Sequence, residues 1–183
     1  MSSDPELAQA FLHSSLARFE ALKQLGDGAL AQVSAPQLFV RPGAGQNSIA
    51  ILVQHLHGNM LSRWTDFLTS DGEKASRTRD AEFEPGVQDP VRLLQLWQEG
   101  WQCTFAALRA LQPQDVAATV HIRGEPLTVM DALIRQVAHY GYHVGQIVQL
   151  ARGQVGAAFQ SLSIARGQST QYKPQARAGG RKE

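Results

Sequence analysis

The sequence predicts an all-α protein, a four-helix bundle with a small two-stranded excursion before the last long helix. Three observations lead to this class. Apolar residues make up 43% of the 183-residue chain, enough to bury a core. They recur at helical intervals in four long segments. Only one short segment alternates apolar and polar residues as a strand does, so no larger sheet is expected.

The first predicted helix runs from Asp4 or Pro5 to Val33. Asp4 can cap it, and Pro5 suits the first helical position because that position needs no amide donor. The run Gly26-Asp27-Gly28 is expected to be a weak point that kinks or splits the helix. The apolar residues that repeat on one face are Leu12, Leu16, Phe19, Leu22, Leu30 and Val33.

The second predicted helix begins at Asn47 or Ser48 and ends near Ser70. Residues 73–88 follow it, and they are charged and poorly periodic. This segment is interpreted as a long surface loop, and long loops in compact domains often cover a site. The apolar stripe of the second helix consists of Ile49, Leu52, Val53, Leu56, Met60, Trp64 and Phe67.

The third predicted helix opens at Asp89-Pro90, by the same capping logic, and closes before Pro113. Its aromatic residues favour a place in the core over a stacking platform for ligands, because aromatic side chains bury large apolar areas. The inward face is predicted to contain Leu94, Trp97, Trp101, Phe105 and Leu108.

The excursion precedes the fourth helix. Val120 and Ile122 alternate with polar residues, and Arg123-Gly124 can turn the chain into a second strand. Thr128 then caps a helix that is expected to reach Arg152. Gly141 lies in the apolar stripe of this helix and would let another helix approach closely. That stripe is predicted to be Met130, Leu133, Ile134, Val137, Gly141, Val144 and Val148.

Composition excludes several classes of protein. The formal net charge of +1 gives no electrostatic case for nucleic-acid binding. One cysteine, Cys103, rules out an internal disulfide and a four-cysteine zinc site, and it is expected to be a buried, inert thiol. The N-terminal segment does not resemble a signal peptide, and no apolar stretch is long enough to cross a bilayer. A cytoplasmic protein is therefore expected.

Residues 1–169 are predicted to form a single domain. Residues 170–183 are interpreted as a disordered basic tail, a solvated segment more than a binding element. Its basic residues are Lys173, Arg177, Arg181 and Lys182.

The main chemical signal is a set of histidines. His139 and His143 are four residues apart, so a helix places both rings on one face, with Cβ atoms about 5–6 Å apart. Together with His55 they would give a metal three nitrogen ligands and one open position, as in reactive sites. The alternative is a pair of surface histidines. The helical wheel places His139 and His143 nearly opposite the main apolar stripe, on a mixed face that suits either interpretation.

The second helix offers both His55 and His57, and packing does not choose between them. For either one, a buried histidine bonded to a backbone carbonyl is the simpler alternative. His13 and His121 have no partner at a ligand spacing and are treated as incidental. The motifs of zinc proteases, di-iron carboxylate bundles, phosphate loops, dinucleotide folds and serine nucleophiles are all absent from the sequence.

The order of motifs resembles the DinB-like superfamily of damage-inducible-type helical proteins, grouped with the presumed metal-dependent hydrolases of the YfiT type. The resemblance covers about residues 7–169 and is nearest to a branch of unknown function. The segments that carry it are SIAILVQHLHGNM, SDGEKASRTRDAEFE, IRGEPLTV, HYGYHVGQIV and SLSIARGQS.

This resemblance implies a bundle in which His55, His139 and His143 hold a divalent ion, zinc or nickel. It selects His55 because the histidine of the family follows a serine by seven residues, as His55 follows Ser48 here. It also implies a homodimer. Gln136, Asn59 and Tyr140 are candidates to support the ligands, by helical proximity.

The resemblance implies a metal site but not one reaction, because the superfamily includes thiol-dependent transferases, a thiol-dependent isomerase and presumed hydrolases. The leading hypothesis is a metal-dependent enzyme, either a hydrolase or a transferase using a low-molecular-weight thiol, that acts on an unknown small molecule. The alternative is a non-enzymatic dimeric metal-binding module with a structural, sensing or stress-related role. Binding to nucleic acid or a membrane is not expected.

Overall fold

The computed structural model describes residues 5–171 and confirms the all-α class. The proposed cap Asp4 and the tail residues 172–183 lie outside the described part. Within these residues there are four long helices: α1 (Pro5–Leu30), α2 (Ile49–Trp64), α3 (Pro90–Ala110) and α4 (Val129–Val155). Between α3 and α4 the predicted excursion is an antiparallel pair, β1 (Thr119–Ile122) and β2 (Glu125–Thr128).

The four helices pack as two extensive pairs, α2 on α3 and α1 on α4, which further contacts join into one bundle. Aromatic rings fill its centre. Phe19 meets the rings of Trp64 and Tyr140 edge-on at 5.8 Å, and Trp101 meets Tyr140 at 5.7 Å. Trp64 Nε1 donates to Tyr140 Oη at 2.9 Å, so these two buried polar atoms satisfy each other. The aromatic residues of α3 therefore belong to the core, as predicted.

The predicted N-caps of three helices are confirmed. At the start of α2, the side chain of Ser48 accepts a hydrogen bond from the amide of Ile51. At the start of α3, the side chain of Asp89 accepts one from the amide of Val91. Thr128 Oγ1 accepts from the amide of Asp131 at 3.0 Å. Each bond satisfies an amide that has no partner inside its helix.

Helix α2 ends earlier than predicted, at Trp64 instead of near Ser70. Thr65 is extended and Asp66 has a φ of 48°, so the chain leaves the helical path there. Phe67 nevertheless remains buried. The apolar stripe thus continues past the end of the helix, which is why periodicity overestimated its length.

The glycines of α1 and α4 behave differently from prediction. Helix α1 is continuous through Gly26, where an added Cβ would lie 2.4 Å from Cζ2 of Trp97. Gly26 is therefore a point of close packing, not a break. At Gly141 the nearest atom to an added Cβ would be a methyl of Leu22 at 3.9 Å, an ordinary contact. The close approach predicted there was wrong.

The inward face of α4 is rotated from the predicted one. Met130 and Ile134, placed in the stripe, are exposed, Ile134 by 55%. A similar shift of one residue in α3 leaves Leu94 exposed and buries Leu93. The helical wheel failed in α4 because polar side chains with internal partners share its inner face. The buried residues of α4 are Val129, Ala132, Leu133, Gln136, Tyr140, His143, Val144, Ile147 and Ala151.

The hairpin turn consists of Arg123 and Gly124, with φ angles of 57° and 75°. Two successive left-handed residues form the two-residue turn whose twist matches that of the strands. The turn is anchored to the segment after α2. Asp71 accepts hydrogen bonds from the amides of Glu73, Arg123 and Gly124 at 2.6, 2.9 and 2.7 Å.

No helix within residues 5–171 has the length and apolar character needed to traverse a bilayer.

Candidate metal centre

Three predicted histidines meet inside the bundle. His55 lies on α2, and His139 and His143 lie on successive turns of α4. One ring nitrogen from each lies within 4.8 Å of the other two, a grouping that could hold a metal ion. The shortest separation joins Nε2 of His55 to Nε2 of His139 at 3.3 Å.

That separation fits a shared cation. Imidazole nitrogens bind zinc at about 2.0–2.1 Å, so two ligands of a tetrahedral ion lie roughly 3.3–3.4 Å apart. The rings of His55, His139 and His143 cross one another steeply, with centroids 4.7–5.4 Å apart.

Hydrogen bonds at Nδ1 orient the rings of His55 and His143. Nδ1 of His55 lies 2.9 Å from Oε2 of Glu82, and Nδ1 of His143 lies 2.8 Å from Oε1 of Gln146. Both acceptors require the proton on Nδ1, which leaves Nε2 with a free lone pair. A carboxylate behind a ligating imidazole is a common arrangement in metal sites because it fixes the tautomer and strengthens the ligand.

Glu82 is itself held in place. Nε and Nη2 of Arg77 donate to its two carboxylate oxygens at 2.7 and 2.8 Å, as a bidentate pair. Burial opposes ionisation of Glu82, but the hydrogen bonds from Arg77 and His55 prevail and lower its pKa. A charged carboxylate is thus available to His55 at neutral pH.

The environment keeps the histidines of α4 neutral. Burial, followed by the nearby rings of His143 and His55, lowers the pKa of His139 to about 3. Burial also lowers the pKa of His143, although the bond to Gln146 opposes this. The neutral imidazole is the form that binds a metal, so the environment favours the ligand state.

Burial excludes the surface-histidine alternative. His55 is 2% exposed and His143 is 8% exposed, while His139 is half-buried. His139 and His143 therefore face the interior, and their placement opposite the core was wrong. His57 is separate from the cluster, with Nε2 3.5 Å from a carboxylate oxygen of Glu99 on α3. Of the two histidines on α2, only His55 reaches the cluster.

The other histidines and the cysteine lie elsewhere. His13 and His121 are exposed and do not belong to the cluster. Cys103 is half-buried instead of buried, with Sγ 3.7 Å from Oγ1 of Thr65.

A cavity of about 420 Å³ opens beside the three histidines. The segment 73–88 forms part of its wall, as the prediction of a covering loop requires. Phe83, in the short 3₁₀ turn Asp80–Phe83, lies against the ring of His55 with centroids 4.5 Å apart. The loop thus covers part of the candidate site.

The predicted supporting residues divide into two groups. Gln136 and Asn59 line the cavity, and Gln136 Nε2 donates to Asn59 Oδ1 at 2.9 Å. Tyr140 is fully buried in the aromatic core, where desolvation raises its pKa, and it does not line the cavity. Glu82, Arg77 and Gln146 were not predicted. For Glu82 and Arg77 no periodic signal exists, because they lie in the aperiodic loop.

One family model matches nearly the whole described chain. It is described as Protein of unknown function (DUF1572), and it covers residues 6–168. That family lies in the DinB-like clan, which confirms the resemblance at the level of the superfamily. No curated protein matches the chain.

Proposed function

The chain belongs to the DUF1572 family, and on that premise we propose that it is a metal-dependent enzyme acting on a small molecule. The reaction is a hydrolysis or a transfer to a low-molecular-weight thiol. His55, His139 and His143 are the proposed ligands. The observation that carries the proposal is the convergence of their ring nitrogens within 4.8 Å beside a cavity.

The donor set fits zinc or nickel. Imidazole nitrogen suits both ions, and three protein ligands leave a position for a reactant. Two of the three rings have their far nitrogen bonded, which is the expected support for a ligand. When bound, such an ion lowers the pKa of the water or thiol that it contacts, which supplies a nucleophile at neutral pH.

The side chains around the histidines have distinct roles in this proposal. Glu82 and Gln146 hold the proton on Nδ1 of their histidines and fix the ring directions. Phe83 shields one face of His55 from water. Asn59 and Gln136 provide polar groups on the cavity wall. The bond between them uses one donor and one acceptor, so the amide nitrogen of Asn59 and the amide oxygen of Gln136 remain available to a substrate.

The alternative is a non-enzymatic, dimeric module in which the ion is structural or senses metal. It is favoured by the origin of the ligands on two helices, since an ion held by both would link α2 to α4. The two proposals differ in outcome. The enzyme turns over esters, amides or thiol conjugates when loaded with zinc or nickel, whereas the module gains stability without turnover. Dimer formation in either case is measured by light scattering.

The ligand assignment is tested by elemental analysis of purified protein. We expect His55→Ala, His139→Ala and His143→Ala each to lose bound zinc or nickel, because two nitrogens bind an ion far more weakly than three. His57→Ala is the matched control, because His57 is on the same helix but outside the cluster. Circular dichroism checks that each variant is folded. Equal metal content in all four variants and the wild type would reject the assignment.

A further inference from the structure

We propose that the substrate is an anion, a small molecule with a carboxylate or phosphate group that arginine side chains bind beside the three histidines. The reaction on this substrate rests on the proposed metal-dependent function. The binding of the anion does not, because it depends on other residues and can be measured without metal.

The cavity wall is strongly cationic. Five guanidinium groups line it together with the three histidines, and within residues 5–171 no aspartate or glutamate does. This is a local feature, since the chain as a whole has a net charge of only +1. A cavity lined by one sign of charge concentrates ligands of the opposite sign. The five residues are Arg63, Arg77, Arg79, Arg123 and Arg135.

The carboxylates behind the wall do not neutralise it. Glu73 accepts from three of the arginines, and Glu82 accepts from one. Asp80, the partner of Arg79, is almost fully exposed and lies 3.5 Å away, so solvent screens that pair. Arg135 makes no ion pair with any residue of the described chain. Five arginines face three carboxylates at most, and positive charge remains in excess.

Arg123 occupies a position that disfavours its residue type. Its φ of 57° is left-handed, and two-residue turns of this kind prefer asparagine, aspartate or glycine there. The amide of Arg123 is held by Asp71, which offsets the strain. A residue kept in an unfavourable conformation beside a cavity indicates a use for its side chain. Arg123 Nε meets Glu73 at 3.3 Å, and the side chain remains more than half exposed.

Arg63 contributes a buried positive charge to the cavity wall. It is 5% exposed, and its Nε is buried without a hydrogen-bond partner among the described residues. Its Nη1 donates to the carbonyl of Gly72 and to Glu73. Because this Nε is inaccessible to solvent, Arg63 acts on an anion through its positive charge and not through a free donor.

Guanidinium groups match the geometry of carboxylate and phosphate because they donate two parallel hydrogen bonds. A neutral substrate would leave the positive charge of Arg135 without a counter-charge at the cavity. A divalent ion on the histidines would add further positive charge. Each of these considerations selects an anion.

The test is isothermal titration of inorganic phosphate and of succinate into the protein, with and without zinc. We expect at least one of the two to bind, and Arg135→Gln and Arg79→Gln each to weaken that binding about tenfold or more, as loss of a charged hydrogen-bond donor does. Arg152→Gln is the matched control, because Arg152 is an exposed arginine on the same helix as Arg135 but outside the cavity. Its affinity should equal that of the wild type.

The outcomes distinguish failure of the anion site from failure of the proposed metal-dependent function. Binding of phosphate alone identifies a phosphate ligand, and binding of succinate alone identifies a carboxylate ligand. Binding of neither overturns the inference. Wild-type affinity in both Arg135→Gln and Arg79→Gln also overturns it, because the anion would then be bound by other groups. Metal content must stay unchanged in the arginine variants. Anion binding that persists in metal-free His139→Ala supports the anion site even if metal binding fails.

Discussion

At the scale of the residue, the candidate site depends on a relay of contacts that begins in a loop. Arg77 holds Glu82, Glu82 holds Nδ1 of His55, and the opposite nitrogen of His55 faces His139. The ligand is thus oriented by a residue 27 positions away in the chain. A helix alone fixes the position of its Cβ atom but leaves the ring free to rotate, so this relay determines the ring direction.

Glu82→Gln tests that relay. The amide has the same shape as the carboxylate but no charge, so it supports the ring of His55 more weakly and loses the ion pair with Arg77. We expect the affinity for zinc to fall about 10–100-fold, as for other residues that support metal ligands. The measurement is competition with a chromophoric chelator. Glu84→Gln, an exposed neighbour, should bind zinc as the wild type does. An unchanged affinity in Glu82→Gln would show that Glu82 has no role in orienting the ligand.

Residue-scale prediction from sequence succeeded where spacing alone determines position. His139 and His143 share a helical face at any helix rotation, so their proximity was predictable. The partner Glu82 was not, because its contact with His55 depends on the path of an irregular loop. The choice between His55 and His57 required the family resemblance, since both lie near the apolar stripe of α2.

At the scale of the element, the hairpin β1–β2 and the segment after α2 form one unit that supports the cavity wall. Arg123→Asn tests whether function accounts for the unusual turn residue. Asparagine tolerates left-handed backbone. We therefore expect the free energy of unfolding to lie between about 0.5 kcal/mol below and about 1 kcal/mol above that of the wild type. Binding of the anion should weaken. Urea unfolding and the anion titration measure the two effects.

Arg123→Gln is the control for that experiment. Glutamine removes the charge but keeps the left-handed strain. It should therefore weaken binding of the anion without raising the free energy of unfolding. A loss of more than 1 kcal/mol in Arg123→Asn would instead show that the arginine stabilises the fold.

Asp71 fastens the hairpin, and its contribution should depend on pH. Hydrogen bonds from the amides of Glu73, Gly124 and Arg123 outweigh desolvation and lower the pKa of Asp71 below its ordinary value of 3.8. A group with a lowered folded-state pKa stabilises the fold above its unfolded-state pKa, and the contribution disappears as the pH falls through the folded-state value.

We therefore expect Asp71→Ala to lose about 1 kcal/mol at pH 7, a modest amount because the carboxylate is close to solvent. The difference between wild type and variant should shrink as the pH falls below about 4. Urea unfolding at several pH values measures it. A difference that is constant from pH 7 to pH 3 would mean that the charge of Asp71 has no part in it.

The sequence predicted where the helices begin more accurately than it predicted which of their residues are buried. Capping residues and prolines marked the beginnings of α2, α3 and α4 because these signals are local. The inner face of α4 could not be found from hydrophobicity, since Gln136 and Tyr140 are hydrogen-bonded to residues of α2 and the ring of His143 packs against His55. The rotation of that helix is set by tertiary hydrogen bonds, which apolar periodicity does not record.

At the scale of the whole molecule, the candidate site adjoins the aromatic core, since the ring centroids of His139 and Tyr140 lie 5.6 Å apart. The aromatic core around Phe19, Trp101 and Tyr140 fixes how the helices pack. The polar face that α4 turns toward α2 has the histidines at one side of this core, where the loop closes over them. The proposed site therefore combines ligands from two packed helices with a wall formed by a less regular segment, an arrangement that suits precise placement of ligands.

A metal ion at the three histidines should stabilise the entire fold, because it would tie α2 to α4 across the bundle. Binding to the native state alone adds about 2.7 kcal/mol when the free ion is at 100 times its dissociation constant. We expect zinc or nickel to raise the melting temperature of metal-free wild type and of His57→Ala alike. His139→Ala and His143→Ala should show no such rise at the same concentration. Calorimetric melting of the four proteins, each with and without the ion, measures the effect. A rise in all four would place the ion elsewhere on the protein, and a rise in none would leave α2 and α4 joined by their packing alone.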